Sequence, residues 1–190
     1  MRNFLRCILS LAAFTACGDG DKQTPDVQGG GADLTCANYC TKIMANCTAT
    51  NAQFNDMDKC LNSCMKYPVG TAADTSANTL GCRIYHAGNA ATTPALHCRP
   101  AGPGGDGACG TNCDGFCTLV QGLCSAQTSP PFTDMAACTT ACALFATAPA
   151  YDASVHSGNS FACRLYFATN AATHPAIHCA HTAMASSTCR

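Results

Sequence analysis

Apolar residues recur along the chain at the spacing of amphipathic helices. A stripe at i, i+4, i+7 and i+11 occurs twice, the second time within residues 113–124. Shorter stripes lie within residues 57–64 and 135–142. A third helix is predicted over residues 76–91 and again over 157–172. Since alternating β-branched runs are absent, the pattern predicts an all-α fold. The first occurrence of the long stripe, on one face at 3.6 residues per turn, is Cys36, Cys40, Ile43 and Cys47.

Residues that favour helix starts stand before several of these segments. Asn55 and Thr133 are predicted to be the N-caps of the second helices, because short polar side chains accept hydrogen bonds from the first turn. Pro94 and Pro175 each open a further turn or short helix, where proline suits the first helical position.

The cysteines after residue 35 repeat as two sets of eight. Successive gaps are 3, 6, 12, 3, 17, 15 and 10 residues in the first set and 3, 6, 13, 3, 20, 15 and 9 in the second. Chance would not reproduce seven gaps so closely. We therefore predict two tandem small disulfide-rich three-helix modules, residues 35–109 and 110–190. The sixteen residues are Cys36, Cys40, Cys47, Cys60, Cys64, Cys82, Cys98, Cys109, Cys113, Cys117, Cys124, Cys138, Cys142, Cys163, Cys179 and Cys189.

These cysteines are predicted to form disulfides rather than zinc sites. The chain has 18 cysteines in 190 residues and no Trp, a composition typical of a thin core stapled by disulfides. Eight cysteines allow many pairings. Matched spacings on antiparallel helices favour Cys36–Cys64 and Cys40–Cys60. Cys47–Cys82 and Cys98–Cys109 would complete the first module, and the second would follow the same scheme.

The N-terminus predicts export. Residues 1–16 combine two arginines, a short apolar run and small residues at its end, as in a secretory signal peptide. No later stretch is apolar enough for a transmembrane helix. Residues 18–34 are rich in Gly and Asp and predict a flexible tether.

Residues 14–17 (Phe-Thr-Ala-Cys) resemble the lipobox of bacterial lipoproteins. The resemblance implies lipid attachment at Cys17, so that residues 17–34 form the anchor and tether. It also implies a place on the bacterial envelope, and Gly18 after the cysteine implies the outer membrane, facing the periplasm or the exterior. The alternative is a plain signal peptide with Cys17 as an odd thiol. The Cys-Arg-x-Tyr and Pro-Ala-x-His-Cys runs of both repeats resemble those of cysteine-rich tandem-repeat lipoproteins of soil bacteria. This resemblance does not imply an activity.

Charged and metal-binding candidates are few. Two ion pairs between the second and third helices are predicted, Arg83–Asp56 and Arg164–Asp134. The spacing of His174, His178 and His181 would suit zinc or copper on one helical face. Only His178 has a counterpart, His97, and Pro175 places His174 at a helix cap, so structural or surface histidines are the favoured interpretation.

The sequence predicts no catalytic residue and no cofactor, because none of the common nucleophile, zinc-protease or nucleotide-binding motifs is present. With 10 Lys and Arg against 11 Asp and Glu, nucleic acid is not an expected partner. The leading hypothesis is a non-enzymatic, envelope-tethered binding or structural module whose partners are the membrane, through its lipid, and a protein or envelope ligand. One alternative is a small exported enzyme or enzyme inhibitor. Another is metal or haem capture through His86, His97, His174, His178 and His181.

Overall fold

The computed structural model of the protein describes residues 33–190. The predicted signal peptide at residues 1–16, the predicted lipid site Cys17 and the predicted tether up to residue 32 lie outside the described residues. Within 33–190 no helix is long and apolar enough to cross a membrane.

The predicted all-α fold is confirmed. Residues 33–190 contain eight α-helices and no strand, apart from one isolated bridge between Ala146 and Ser160. Short 3-10 turns lie at Ala49–Asn51 and Cys179–Thr182. The helices are α1 Cys36–Asn46, α2 Met57–Cys64, α3 Leu80–Asn89, α4 Pro94–Ala101, α5 Asn112–Cys124, α6 Met135–Cys142, α7 Phe161–Ala171 and α8 Pro175–His178. Below, the first half means residues 33–109 and the second half residues 110–190.

The N-caps of α2 and α6 are Asp56 and Asp134, so the predicted caps Asn55 and Thr133 are wrong by one residue. Asp56 Oδ1 accepts a hydrogen bond from the backbone N–H of Lys59 at 2.9 Å, and Asp134 Oδ1 accepts from that of Ala137 at 2.8 Å. A carboxylate at this position also interacts favourably with the positive end of the helix dipole. Each aspartate side chain therefore caps the N-terminus of its own helix.

All sixteen cysteines of the two repeats form disulfides, none of which joins the halves. Cys36–Cys64 and Cys40–Cys60 link α1 to α2 as predicted. The other four-residue-spaced cysteines follow the same scheme in the second half. Eight disulfides indicate an oxidising, extracytoplasmic environment.

The remaining pairings in the first half differ from the expected ones. Cys47 pairs with Cys98 and Cys82 with Cys109, so Cys47–Cys82 and Cys98–Cys109 are wrong. The physical reason is that α4 folds back along α3 and α1, which brings the Cys98 sulfur to within 3.8 Å of the Asn46 carbonyl oxygen. The chain after α4 then returns past the start of α3. Cys124–Cys179 and Cys163–Cys189 repeat this arrangement in the second half.

Buried apolar residues form one large cluster in each half. In the second half, Phe116 is fully buried and contacts three other rings edge-to-face, with centroids 6.3, 5.8 and 6.0 Å away. Aromatic rings prefer this arrangement. These rings are Phe132, Phe145 and Phe161.

The halves also contact each other directly. Tyr67 belongs to the first half but packs within the buried cluster of the second. The Tyr151 hydroxyl donates to the Gln53 carbonyl oxygen at 3.0 Å, and the Ala153 N–H donates to the Ala52 carbonyl oxygen at 2.8 Å. The junction is thus held by backbone acceptors of residues 52 and 53.

Candidate functional site

Arg83 is fully buried on α3, and among residues 33–190 it forms no ion pair with a carboxylate. It donates to the carbonyl oxygens of Thr79 at 3.2 Å and Gly102 at 3.3 Å, and to Asn78 Oδ1 at 2.8 Å. Asp56, its predicted partner, lies 2.9 Å from Lys59 Nζ instead. The predicted Arg83–Asp56 pair is therefore wrong, because the carboxylate serves the start of α2 while backbone carbonyls satisfy the guanidinium.

Arg164 occupies the corresponding place on α7. It donates to the carbonyl oxygens of Ser160, Ala183 and Met184 at 3.1 to 3.2 Å. Burial lowers the pKa of the Arg164 guanidinium. The predicted Arg164–Asp134 pair is wrong for the same reason as the first. Each arginine holds the segment that follows the fourth helix of its half.

The segment held by Arg83 leads into a cavity at the junction, called here the junction pocket. Its volume is about 260 Å³, just below the usual range for small-molecule sites. Buried apolar side chains of the second half form its floor: Phe145, Phe161 and Leu165. Its rim is polar and includes Arg99 and Asp106. The pocket therefore has an apolar base and a charged edge.

Gln53, one of the residues that line this pocket, carries an unpaired acceptor. Its side chain lines the pocket, the residue is only 2% exposed, and among residues 33–190 its Oε1 has no hydrogen-bond partner. The orientation of the amide is fixed because Nε2 donates to the Asn51 carbonyl oxygen at 3.1 Å. A buried acceptor without a donor is costly, by about 1–3 kcal/mol. Such an atom calls for a partner that the described chain does not supply.

Gly102 allows Gln53 to lie where it does. A Cβ atom at Gly102 would stand 1.9 Å from Gln53 Oε1, so a side chain there would displace the amide. Gly102 opens the Gly-Pro-Gly-Gly-Asp-Gly run at residues 102–107. Glycine permits a close approach of the backbone to a neighbouring group. This glycine-rich run is therefore the sequence signal that could have located the pocket.

Opposite charges flank the pocket rim. Arg99 Nε lies 3.6 Å from Asp106 Oδ2, and the two side chains are 44% and 34% exposed. The Asp106 N–H donates to Asn112 Oδ1 at 3.2 Å, which fixes the turn carrying the carboxylate. An exposed ion pair of this kind is weak, so a ligand could exchange with either partner.

The three histidines considered as a candidate metal site do not converge. The ring centroids of His174 and His178 are 6.3 Å apart and those of His178 and His181 are 6.2 Å apart. Among the described residues, the three do not form a set with ligand atoms within 4.8 Å of one another. His174 lies at the cap before α8, outside the helical face that the triad required. His178 packs against the ring of Phe167, with centroids 5.7 Å apart.

The first half brings two other histidines together. Nδ1 of His86 and Nδ1 of His97 lie 2.9 Å apart. A ring nitrogen of His86 also lies within 4.8 Å of the Cys82 and Cys109 sulfurs, but these are joined in a disulfide and supply no thiolate.

Residues 21–114 match the model of the BfoA family C-terminal domain. The match ends within the first turn of α5, so the pocket residues of the first half lie inside it and the apolar floor lies outside. No curated protein and no solved structure matches the chain.

Proposed function

We propose that the protein is a non-enzymatic binding module of the bacterial envelope, anchored by a lipid on Cys17, and that the junction pocket is its ligand site. The observation that carries the proposal is the cavity between the halves, which is lined by apolar side chains and by Gln53, a residue whose buried Oε1 is unpaired. Buried polar atoms are normally hydrogen-bonded. A bound ligand with an N–H or O–H donor would supply the missing partner.

The pocket lining limits the chemistry of the ligand. The floor of Phe145, Phe161 and Leu165 suits a small apolar body. At the rim, Arg99 offers a guanidinium to an acidic group and Asp106 a carboxylate to a basic one. The ligand class is therefore a small amphipathic molecule with an apolar ring or short chain, a hydrogen-bond donor and a charged end.

Support for the envelope location comes from two independent features. The start of the chain combines a signal-like segment with a lipobox-like cysteine, and the described body carries eight disulfides. Intact mass of protein extracted from membranes, before and after reduction, tests both. We expect a diacylglyceryl adduct on Cys17 and a gain of two hydrogens for each bridge. An unmodified thiol at the N-terminus would contradict the anchor.

Ligand-observed NMR with small aromatic and aliphatic acids, with and without a hydroxyl donor, tests the pocket. The variant Ala143→Trp should fill the pocket, because Ala143 lines it and is itself exposed. Leu144→Trp is the matched control, since Leu144 is adjacent, 72% exposed and not part of the lining. We expect binding to survive in the control and to be lost in Ala143→Trp.

Gln53→Met then separates the acceptor from the cavity. This change keeps the side-chain length and removes Oε1, so affinity for donor-bearing probes should fall by about 10-fold while probes without a donor are unaffected. Equal binding of every probe to wild type and Ala143→Trp, or no binding at all, would overturn the proposal.

A further inference from the structure

We propose that His86 and His97 form a site for a borderline first-row divalent cation, Zn²⁺ or Cu²⁺, independent of the junction pocket. His86 lies on α3 and His97 on α4, two consecutive helices that pack against each other. Their Nδ1 atoms are 2.9 Å apart, with ring centroids at 5.1 Å and planes inclined by 42°. Imidazole nitrogen is a preferred ligand of both metals.

The hydrogen bonds around the pair define which nitrogens are free. His86 Nε2 lies 3.3 Å from the Thr75 carbonyl oxygen. A carbonyl only accepts, so Nε2 carries the proton of the neutral His86 ring and its Nδ1 has a lone pair. His97 therefore donates its Nδ1–H to His86 Nδ1. One proton occupies the space between the two nitrogens.

A metal ion can take the place of this proton with a small movement. Zinc–nitrogen bonds of about 2.0–2.1 Å at a tetrahedral angle set the two nitrogens roughly 3.3 Å apart, a few tenths of an ångström more than in the metal-free pair. The displaced proton moves from Nδ1 to Nε2 of His97, so both rings stay neutral and both Nδ1 lone pairs bind the ion. No net proton is released when the two rings are already neutral.

The surroundings of His86 resemble those of a metal-ligating histidine. Such residues donate the second ring N–H to a carbonyl or carboxylate, which fixes the ring and its tautomer, and Thr75 provides this carbonyl. His86 is 8% exposed while His97 is partly exposed. The protein thus supplies two ligands, and the positions toward solvent are left for water.

The second half provides a natural comparison. His178 corresponds to His97 in the cysteine repeat, but Phe167 stands where His86 would be, and its ring packs on His178. The same helical arrangement therefore holds a histidine pair in one half and a phenylalanine–histidine contact in the other. His86→Phe should accordingly keep the fold while removing one ligand.

Titration of the full, oxidised protein with Zn²⁺ by calorimetry, followed by NMR of the histidine rings, tests the site. We expect one ion per chain at this site and a His97 ring whose proton moves from Nδ1 to Nε2. His86→Phe and His97→Ala should each lower the affinity at least 10-fold. His178→Ala, which alters the other histidine cluster, should leave it unchanged, and Ca²⁺, which prefers oxygen ligands, should not bind.

Two results would overturn the site. One is the absence of Zn²⁺ and Cu²⁺ binding by the folded wild type. The other is full retention of affinity in His86→Phe together with its loss in His178→Ala, which would place the metal on the second half. Eight bridges in the intact mass and an unchanged melting temperature show that each variant is folded.

Discussion

The guanidinium carbon of Arg83 lies 3.7 Å from the centroid of the Tyr67 ring, which presents its face to the buried cation. Arg164 stands 4.2 Å above Phe145 in the same way. Both arginines are thus stabilised by an aromatic ring and by carbonyl oxygens rather than by an acid. Burial raises the pKa of Tyr67 to about 12 although Arg83 acts to lower it, so the phenol stays neutral and donates to the Pro103 carbonyl oxygen at 3.1 Å.

Replacement of Arg83 by Met should destabilise the protein by about 2–4 kcal/mol, because at least two buried carbonyls lose their donor. Arg83→Lys should be nearly as damaging, since an ammonium cannot reproduce the planar set of donors. Thermal and denaturant unfolding with intact disulfides would measure this. Arg190→Met, at an exposed position, should change stability by no more than about 0.5 kcal/mol. Equal stability of Arg83→Met and wild type would refute the role.

Asp56→Ala should cost only about 1 kcal/mol, the usual effect of losing an N-cap. Asp56→Asn should cost less, because the amide oxygen still accepts from the Lys59 N–H. A loss of 3 kcal/mol or more, about the effect of breaking a buried ion pair, would instead favour the Arg83–Asp56 interaction. Asp58→Ala in the same first turn serves as the control in unfolding experiments.

The pairing of Cys47 with Cys98 predicts which thiol is freed by a single change. In Cys47→Ala, alkylation under denaturing, non-reducing conditions followed by peptide mass analysis should label Cys98. Loss of this bridge should also lower stability by about 2–4 kcal/mol. Labelling of Cys82 in its place would contradict the connectivity described here. Cys124→Ala should likewise free Cys179.

Stability should decrease as the pH falls below about 6.5, in part through His178. Burial lowers the pKa of His178 from its ordinary value of 6.5, and His181, His174 and Lys59 lower it further. The unfolded chain therefore takes up this proton first. The stability that depends on neutral His178 is complete above pH 6.5 and is lost as the pH falls through the lowered pKa.

Melting temperatures between pH 5 and 8, in the presence of a chelator, would check this dependence. His178→Gln should reduce the slope below pH 6.5, whereas His156→Gln, on an exposed loop, should not. An identical slope in wild type and His178→Gln would show that the loss of stability arises elsewhere.

Those parts of the fold that depend on local spacing could be predicted from the sequence. The C-x3-C pairs fix the faces of α1 and α2, so Cys36–Cys64 and Cys40–Cys60 follow from helical geometry. The sequence does not show whether Asn55 or Asp56 is the cap of α2, because the two residues are adjacent and both residue types are good N-caps. Cys47 and Cys98 are 51 residues apart, and their meeting depends on how α4 folds back, which no local pattern encodes.

The contacts that form the candidate sites could not be predicted from the sequence. Arg83 is satisfied by backbone carbonyls, which every residue carries and no residue type marks, so an acidic partner was the only one that the sequence could suggest. Gln53 and the apolar floor of the junction pocket are brought together across the two halves. The His86–His97 contact crosses two helices, whereas the closely spaced His174, His178 and His181 gave the stronger local signal and do not converge.

The placement of the disulfides also determines how the folded body would respond to a mechanical load. For a chain pulled at Cys36 and Cys189, the shortest covalent path crosses from Cys36 to Cys64 and follows the chain to Cys82. It then crosses to Cys109, continues along α5 to Cys124 and crosses to Cys179. Residues 37–63, 83–108 and 125–178 are thereby excluded from the path under tension. Force on the body would therefore be carried by covalent bonds around both apolar clusters, so most of the chain cannot be drawn out while these bridges are intact.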